Sequence, residues 1–594
     1  MAEALISPGV FLTENDQSQI TAGPITVGAA LVGPTVLGKV NIPTLVTTYS
    51  DFKAKFGATF ISGGSNLEYL TSIAAYNYFQ QGGTSLLVTR VASGSYTSAT
   101  ASVASIGGNS SFTIESLSVG SIMNNNYSAS AALTTKGLLP SGSANNIRWE
   151  ISQVDTGSGL FTLLVRQGND YQSNKTILET WSNLSLDPNQ NNYIEYVIGN
   201  QSQYPLSENG QYYLQVTGSY PNASNYIRVS VNSPVAQTPN YLNPQGQPNV
   251  YYTASMPALG SGSVNGAFGG ASGAIYGGLD QSTWTTSAPV HLFEGILTND
   301  AATPVYNTQG VLNSDYNTAL SLLSNPDAYV YNAIYAPGIN AQNASSQIAT
   351  ILSNTQNRGD AIAVVDMVSY NQSITTTTGT AQGFDNSYGA TYWPWVQIRS
   401  VETGKLNFIP ASAIIPAVYE YNDKVSAEWF APAGLNRGGL PTVIQPERRL
   451  STGDRNTLYS ANVNPIAVFP GQGTVVYGQK TLQSQASALD RVNVRRLLIA
   501  LKGYIGQIAQ TLVFEQNTAV TRNKFLSQVN PYLDYVQQRQ GLYAFRVVMD
   551  ETNNTPDVID RNLLVGAIYL QPTRTAEFIQ LTFNILPTGV TFGA

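Results

Sequence analysis

The residues with the most obvious chemical potential are Gly471, Gly473, Gly478, Lys480 and Thr481, crowded into "FPGQGTVVYGQKTL" at 469–482. Glycines followed by a lysine and a hydroxyl are the ingredients of a phosphate-binding loop. There the lysine and the N–H groups of a following helix converge on the phosphates. That geometry needs G-x-x-x-x-G-K-[ST]. Gly473 and Gly478 have the right separation, but Gln479 stands before Lys480 and Thr481. One extra residue rotates the lysine by about 100° if a helix begins there. The stretch therefore reads as a strand-and-turn element that seats the long helix beyond it and brings Lys480 near that helix's basic face.

Other reactive groups are scarce. The chain has no cysteine, which excludes disulfides, thiolate nucleophiles and zinc–thiolate or iron–sulfur sites. His291 is the single histidine, in the strand-like run "APVHLFEGIL", and reads as a packing residue. Multi-histidine metal sites are excluded, and no carboxylate spacing singles out a catalytic pair. The expectation is a non-enzyme without metal or cofactor.

The elements that must position these residues follow from length and texture. At 594 residues the chain exceeds one core, and several domains are expected. Charged residues make up 11%, against about 25% in an ordinary globular protein. Such a weakly repulsive surface suits packing against copies of itself. Residues 1–390 carry 10 basic and 21 acidic groups, residues 391–594 carry 18 and 14. No dense basic run suggests nucleic acid, and no apolar run reaches the roughly 18 residues of a membrane span. The first residues lack the pattern of a secretion signal.

The pattern predicts a multidomain α/β (α+β) chain. Residues 1–20 form an extended arm. A discontinuous α/β domain occupies 21–95 and 285–385, with "TVGAALVG" and "SLLVTRV" as strands. Its helices are "YSDFKAKFG", capped by Ser50 or Asp51, and the amphipathic "LEYLTSIAAYNYFQQGG". The Ser/Thr/Asn/Gly-rich stretch 96–284 is a β-rich insertion of one or two sandwich- or barrel-like domains. Its short alternating runs include "RWEISQV", "LFTLLVR", "YYLQVTG" and "YIRVSVN". "AYVYNAIYAPGI", "ASSQIATILSNTQNRGD" and "AIAVVDM" restore the α/β texture, and "SITTTTGTAQGFDNSYG" reads as a mobile loop. Residues 386–577 form a C-terminal core domain, and 578–594 a terminal strand arm. A helix over 490–515 carries one apolar stripe, with Arg491, Arg495 and Lys502 together on another face. That face is either solvated or, with Arg448 and Arg449, meets an acidic partner.

Several of these stretches resemble the tail sheath proteins of contractile bacteriophages and of related contractile injection systems. "SPGVFLTEND", "GPTVLGKVNIPTLVTTYSDFKAKFG" and "AAYNYFQQGGTSLLVTRV" carry the likeness at the front. At the back it is carried by "WPWVQI", "FIPASAII", "AEWFAPAG", "NPIAVFPGQGTVVYGQKTL", "VNVRRLLIALKGYIGQIAQTLVFEQN" and the run from "LYAFRVVMDE" to "TAEFIQLTF". The resemblance covers roughly residues 5–95 and 285–594. Ala411 departs from a common proline and Tyr477 from a common tryptophan.

The resemblance implies a structural protomer that polymerises as stacked hexameric rings around an inner tail tube. It contracts from a metastable state, without nucleotide hydrolysis, to drive the tube through the host envelope for genome delivery. Implied partners are further copies of the chain, the tail tube protein, and baseplate and tail terminator proteins, with neither nucleic acid nor membrane insertion. The implied location is the virion tail, assembled in the host cytoplasm. Terminal arms would exchange strands between subunits, with Val10, Phe11, Leu12, Leu581, Phe583 and Ile585 as the candidate positions. Arg491, Arg495, Lys502, Arg448 and Arg449 would face the tube, making 386–577 tube-proximal and the insertion outward-facing. Two other readings of the residues are a particle-associated protein whose β-rich middle binds or cleaves glycans, and an adhesin.

Overall fold

A computed structural model describes residues 27–62, 65–92, 98–119, 147–168, 170, 174–232, 245, 255–261, 311, 313–578 and 580. Strand β1 (Val27–Gly33) is apolar without alternation, as a strand covered on both faces requires. After β2 (Thr44–Val46), helix α1 (Tyr49–Phe56) begins at Tyr49, before the start that a cap at Ser50 or Asp51 would give. Its cap is Thr48, whose hydroxyl accepts the Asp51 N–H at 3.0 Å, rather than Ser50 or Asp51. Gly57 ends it at φ 69°.

Helix α2 (Leu70–Gln80) is buried around most of its circumference, where an amphipathic helix was expected. The reason lies in β1. A Cβ on Gly28 would sit 2.1 Å from the Tyr78 hydroxyl, and one on Gly33 would sit 2.5 Å from Thr71 Oγ1. Two bare positions on the strand thus let the helix lie flat against it. Strand β3 (Leu86–Arg90) follows.

The next strands are β4 (Ser98–Ala104), β5 (Ser110–Val119), β6 (Ile147–Asp155), β7 (Leu160–Gln167) and β8 (Ile177–Leu184). After the short helix α3 (Ile194–Ile198) come β9 (Ser202–Glu208), β10 (Gln211–Thr217) and β11 (Ile227–Val231). Their pairings are antiparallel, in the order β8-β7-β6, β11-β5-β4 and β9-β10. The first two of these sheets share one hydrophobic core around Phe112, Phe161 and Leu163.

The chain then returns through α4 (Tyr316–Leu323), β12 (Tyr331–Asn340), α5 (Ser345–Arg358) and β13 (Ile362–Asp366). Strand β12 pairs in parallel with β1, Val27 standing opposite Tyr331. The resulting six-stranded sheet runs β14 (Gly389–Ala390), β13, β12, β1, β3, β2, and is parallel except for β2.

Residues 374–381, expected to be a mobile loop, form helix α6 (Ile374–Ala381). Ser373 caps it by accepting the Thr376 N–H, and Thr377 and Ala381 are buried against its neighbours. Tertiary burial overrides the poor helix propensity of four consecutive threonines. Helices α7 (Ile415–Val425) and α8 (Thr452–Ser460) lead to the hairpin β15 (Asn464–Phe469) and β16 (Gly473–Val476). Two long helices follow, α9 (Val492–Gln510) and α10 (Ala519–Gln538), then an antiparallel pair, β17 (Leu542–Val548) and β18 (Ala567–Pro572).

One core joins the six-stranded sheet, α1, α2 and α7 to Ile466, Val492 and Ile499. A separate core packs α9 on α10 and β17 through Leu497, Leu501, Phe525 and Val529. Among the described residues no helix is long and apolar enough to cross a membrane.

Candidate functional site

The glycine-rich stretch is a hairpin. Its strands pair from Ile466 opposite Val476 to Phe469 opposite Gly473, and Gly471 and Gly473 supply the positive φ of the turn. Gly478 serves a different need. A Cβ there would meet Asn464 Oδ1 and Pro465 Cδ at 2.9 Å and the Tyr459 ring at 3.0 Å, so the backbone passes where a side chain cannot.

Beyond Gly478 the chain is extended and pairs with the root of α9. Thr481 N–H donates to Asp490 O at 3.0 Å, and Val492 N–H donates to Gln479 O at 2.8 Å. Lys480 thereby stands opposite Arg491. Buried Asn464 locks the register: it accepts the Lys480 N–H at 2.6 Å and donates to Lys480 O and Thr391 O. The expected seat for the long helix is therefore present, with Lys480 beside its basic residues. Lys480 Nζ donates to Tyr459 O at 2.8 Å and lies 4.7 Å from the Tyr459 ring centroid. Burial, then the neighbouring Arg491, pulls its pKa down.

A carboxylate from the end of the chain completes the site. Glu577 accepts Arg491 Nε at 2.7 Å and Nη2 at 3.0 Å, a bidentate pair. It also accepts the Tyr459 hydroxyl at 2.8 Å and Gln479 Nε2 at 3.0 Å. Gln479 bonds Thr575 as well, at 2.6 Å. Burial alone would raise the Glu577 carboxyl, but the donors Arg491, Tyr459 and Gln479 hold it below the usual carboxylate range. The converse holds for Tyr459, which burial and the adjacent Glu577 push well up.

Further along α9, the arginines are taken up inside the subunit. Arg495 is 4% exposed, its guanidinium 3.9 Å from the Tyr388 ring centroid and bonded to Ser387 O at 3.1 Å. Arg496 pairs with Asp423 at 2.8 Å and covers the Tyr419 ring. Glu420 and Glu428 lie close to the same guanidinium, and burial raises both, Glu420 to about 7.

The five basic residues grouped from sequence thus divide. Arg491 bonds Glu577 and Arg495 lies against Tyr388 within the subunit, where the sequence left their face either solvated or turned to an acidic partner. Lys502 is exposed and donates to the Tyr388 hydroxyl at 3.2 Å. Arg448 and Arg449 are exposed on a different segment, Arg448 3.8 Å from Asp454. Val10, Phe11, Leu12, Leu581, Phe583, Ile585 and His291 lie outside the described residues.

Sequence reasoning missed Glu577, Tyr459, Gln479 and Asp423. One signal was available: Glu577 is the single acidic residue between Arg561 and Ala594. Among the described residues no cluster of three or more His, Asp or Glu could hold a metal ion.

Residues 309–482 match the family model described as phage tail sheath protein central domain. Residues 484–586 match the phage tail sheath C-terminal domain. Over 185 residues the chain is 43% identical to the tail sheath protein of Vibrio phage KVP40, covering 31% of this chain and 28% of that protein. Over 329 residues it is 28% identical to the tail sheath protein of Salmonella phage ViI, covering 53% and 49%. The matches thus span less than half the length of either relative. The crystal structure of a sheath tail protein from Listeria innocua aligns with a TM-score of 0.49 and 11% identity, over 89% of this chain and 90% of that one.

Proposed function

We propose that this chain, whose residues 309–482 and 484–586 match the central and C-terminal domains of phage tail sheath proteins, is the protomer of a contractile sheath. In this reading subunits polymerise as stacked hexameric rings around an inner tube. They shorten from a metastable extended state and drive the tube through a cell envelope without nucleotide hydrolysis. The observation that carries it is the unbroken succession of both family domains over 309–586. The extra residue before Lys480, now seen as part of a structural pairing, favours a machine whose energy resides in its interfaces.

The geometry suggests where subunits would link. The β17–β18 sheet has two strands, and neither outer edge has a partner strand among the described residues. An unpaired edge is a template for strand addition. The N- and C-terminal arms, with Val10, Phe11, Leu12, Leu581, Phe583 and Ile585, are the segments proposed to add there from neighbouring copies. Lys502, Arg448 and Arg449 remain the exposed members of the basic set proposed to face the tube protein. Baseplate and terminator proteins would cap the stack, within a virion tail assembled in the host cytoplasm.

The test is assembly. Purified full-length chain is expected to form long hollow tubes by negative-stain electron microscopy. A persistent monomer that cleaves polysaccharide would overturn the reading.

A further inference from the structure

The segment after β18 leaves the unit built from α10, β17 and β18 and crosses to the root of α9. Thr573 N–H still bonds Gly541 O at 3.2 Å, beside β17. Four residues later Glu577 is bound by Arg491, Tyr459 and Gln479, and Thr575 by Gln479. These donors come from three separated segments: the end of α8, the stretch after the hairpin, and the N-terminus of α9. The Glu577 side chain is 17% exposed, so its pair with Arg491 is partly shielded from solvent screening. Such a set of bonds exceeds what is needed to quiet one loop. It fixes the place and direction in which the chain continues towards Phe578, which is 84% exposed.

We propose that Glu577 is a positioning residue, the joint through which force on the C-terminal segment passes to the root of α9. This rests on the sheath reading, because only a linked assembly exerts that force. Tension on the segment meets the carboxylate before it reaches β18. The guanidinium fork, the Tyr459 hydroxyl and the Gln479 amide then share it with α8, with the strand that seats α9, and with α9 itself. Segment and helix move together, and the β17–β18 ladder is spared from being peeled.

The test uses the full chain with Glu577→Gln, Arg491→Ala and Arg491→Lys. In unassembled subunits, Glu577→Gln and Arg491→Ala are expected to speed amide exchange at Thr573–Phe578 by about tenfold, with exchange along α9 unchanged. Arg491→Lys, which keeps the charge and loses the fork, should recover part of that protection. In assembled tubes, Glu577→Gln should give shorter fragments than wild type under the same shear. Unchanged exchange in Glu577→Gln overturns the joint, as do variant tubes of wild-type length after shear. Should wild type form no tubes, the sheath reading fails and the transmission of force with it, whereas the exchange data still decide whether the clamp exists.

Discussion

Two regions of this molecule bury arginines, and they do so for different ends. In the β-rich region Arg166 binds Asp170 at 2.8 and 2.9 Å and Glu150 at 2.7 Å. Arg148 joins through Asp170 at 3.0 Å and Lys175 through Glu150 at 2.6 Å. These bonds join residues between 148 and 175, on β6, on β7 and beyond the end of β7. On α9, by contrast, Arg491, Arg495 and Arg496 reach partners 86, 108 and 73 residues away in sequence. The bonds named in the first set are local and pin one sheet. The second gathers distant segments around one helix, and the same side-chain chemistry becomes a connector.

The contrast breaks most sharply at the shared acids. Asp170 and both its arginines have side chains at most 1% exposed. Asp170→Asn leaves two buried guanidiniums short of one charge, and should cost the β-rich region about 3–5 kcal/mol. Asp423→Asn should cost clearly less, because Glu420 and Glu428 stand near Arg496 and can ionise beside it, releasing their protons to solvent and balancing its charge. Calorimetry of the two variants checks the ranking. Equal losses would mean that Glu420 and Glu428 do not compensate for the missing Asp423 charge.

These two regions also differ in how far they could be read from sequence. Strands of the β-rich region announce themselves by local alternation, and the hairpin by its glycines. The helical spacing put Arg491, Arg495 and Lys502 on one helix; Arg495 and Lys502 do lie in α9, whereas Arg491 is the extended residue just before it. Spacing reports direction but not cover: nothing local says that Tyr388, more than a hundred residues away, lies over Arg495. Helix α6 was hidden by its threonines, whose helical state is imposed by packing. Helix α10 was missed because Pro531 and many polar residues dilute its apolar pattern. The Glu577 clamp was invisible for the same physical reason as Tyr388, since its partners meet only in the folded chain.

A second way to separate the networks is pH. Burial raises the carboxyl of Asp366 to about 7, although Ser412 donates to it through its N–H at 3.1 Å and its hydroxyl. Glu68, held by Ser72 and Ser400, and Glu447 are likewise raised to about 7 by burial. Between the ordinary carboxylate range and pH 7 the folded chain holds protons that the unfolded chain has released. Stability therefore falls as pH rises through that window and levels off above it. The thermal midpoint should move down from pH 5 to 8, with about 2–3 kcal/mol of stability lost for each such group. Asp366→Asn should flatten the slope without loss at pH 5. Glu577 has the opposite sign: its contribution is present above the unfolded carboxylate value and is lost as pH falls through its lowered folded one. A subunit whose stability rose steadily from pH 5 to 8 would contradict the assignment to Asp366.

The smallest expected effect concerns three glycines near the seat. Gly478 is demanded by contact, since any Cβ there strikes Asn464, Pro465 and Tyr459, and Gly478→Ala should destabilise the subunit. Gly503 and Gly506 lie within α9, and a Cβ on either meets nothing within 4 Å. Glycine in a helix interior costs about 0.5–1 kcal/mol relative to alanine. Gly503→Ala and Gly506→Ala should therefore each stabilise the isolated subunit by about that amount, because the unfolded chain loses freedom and no atom is displaced. Chemical denaturation of the single and double variants measures it. If the double variant gains stability yet no longer assembles, the bare stretch of α9 is a contact surface where another backbone approaches closely. If it gains stability and assembles normally, the contacts of α9 run through its side chains, and Lys502 becomes the position to examine first.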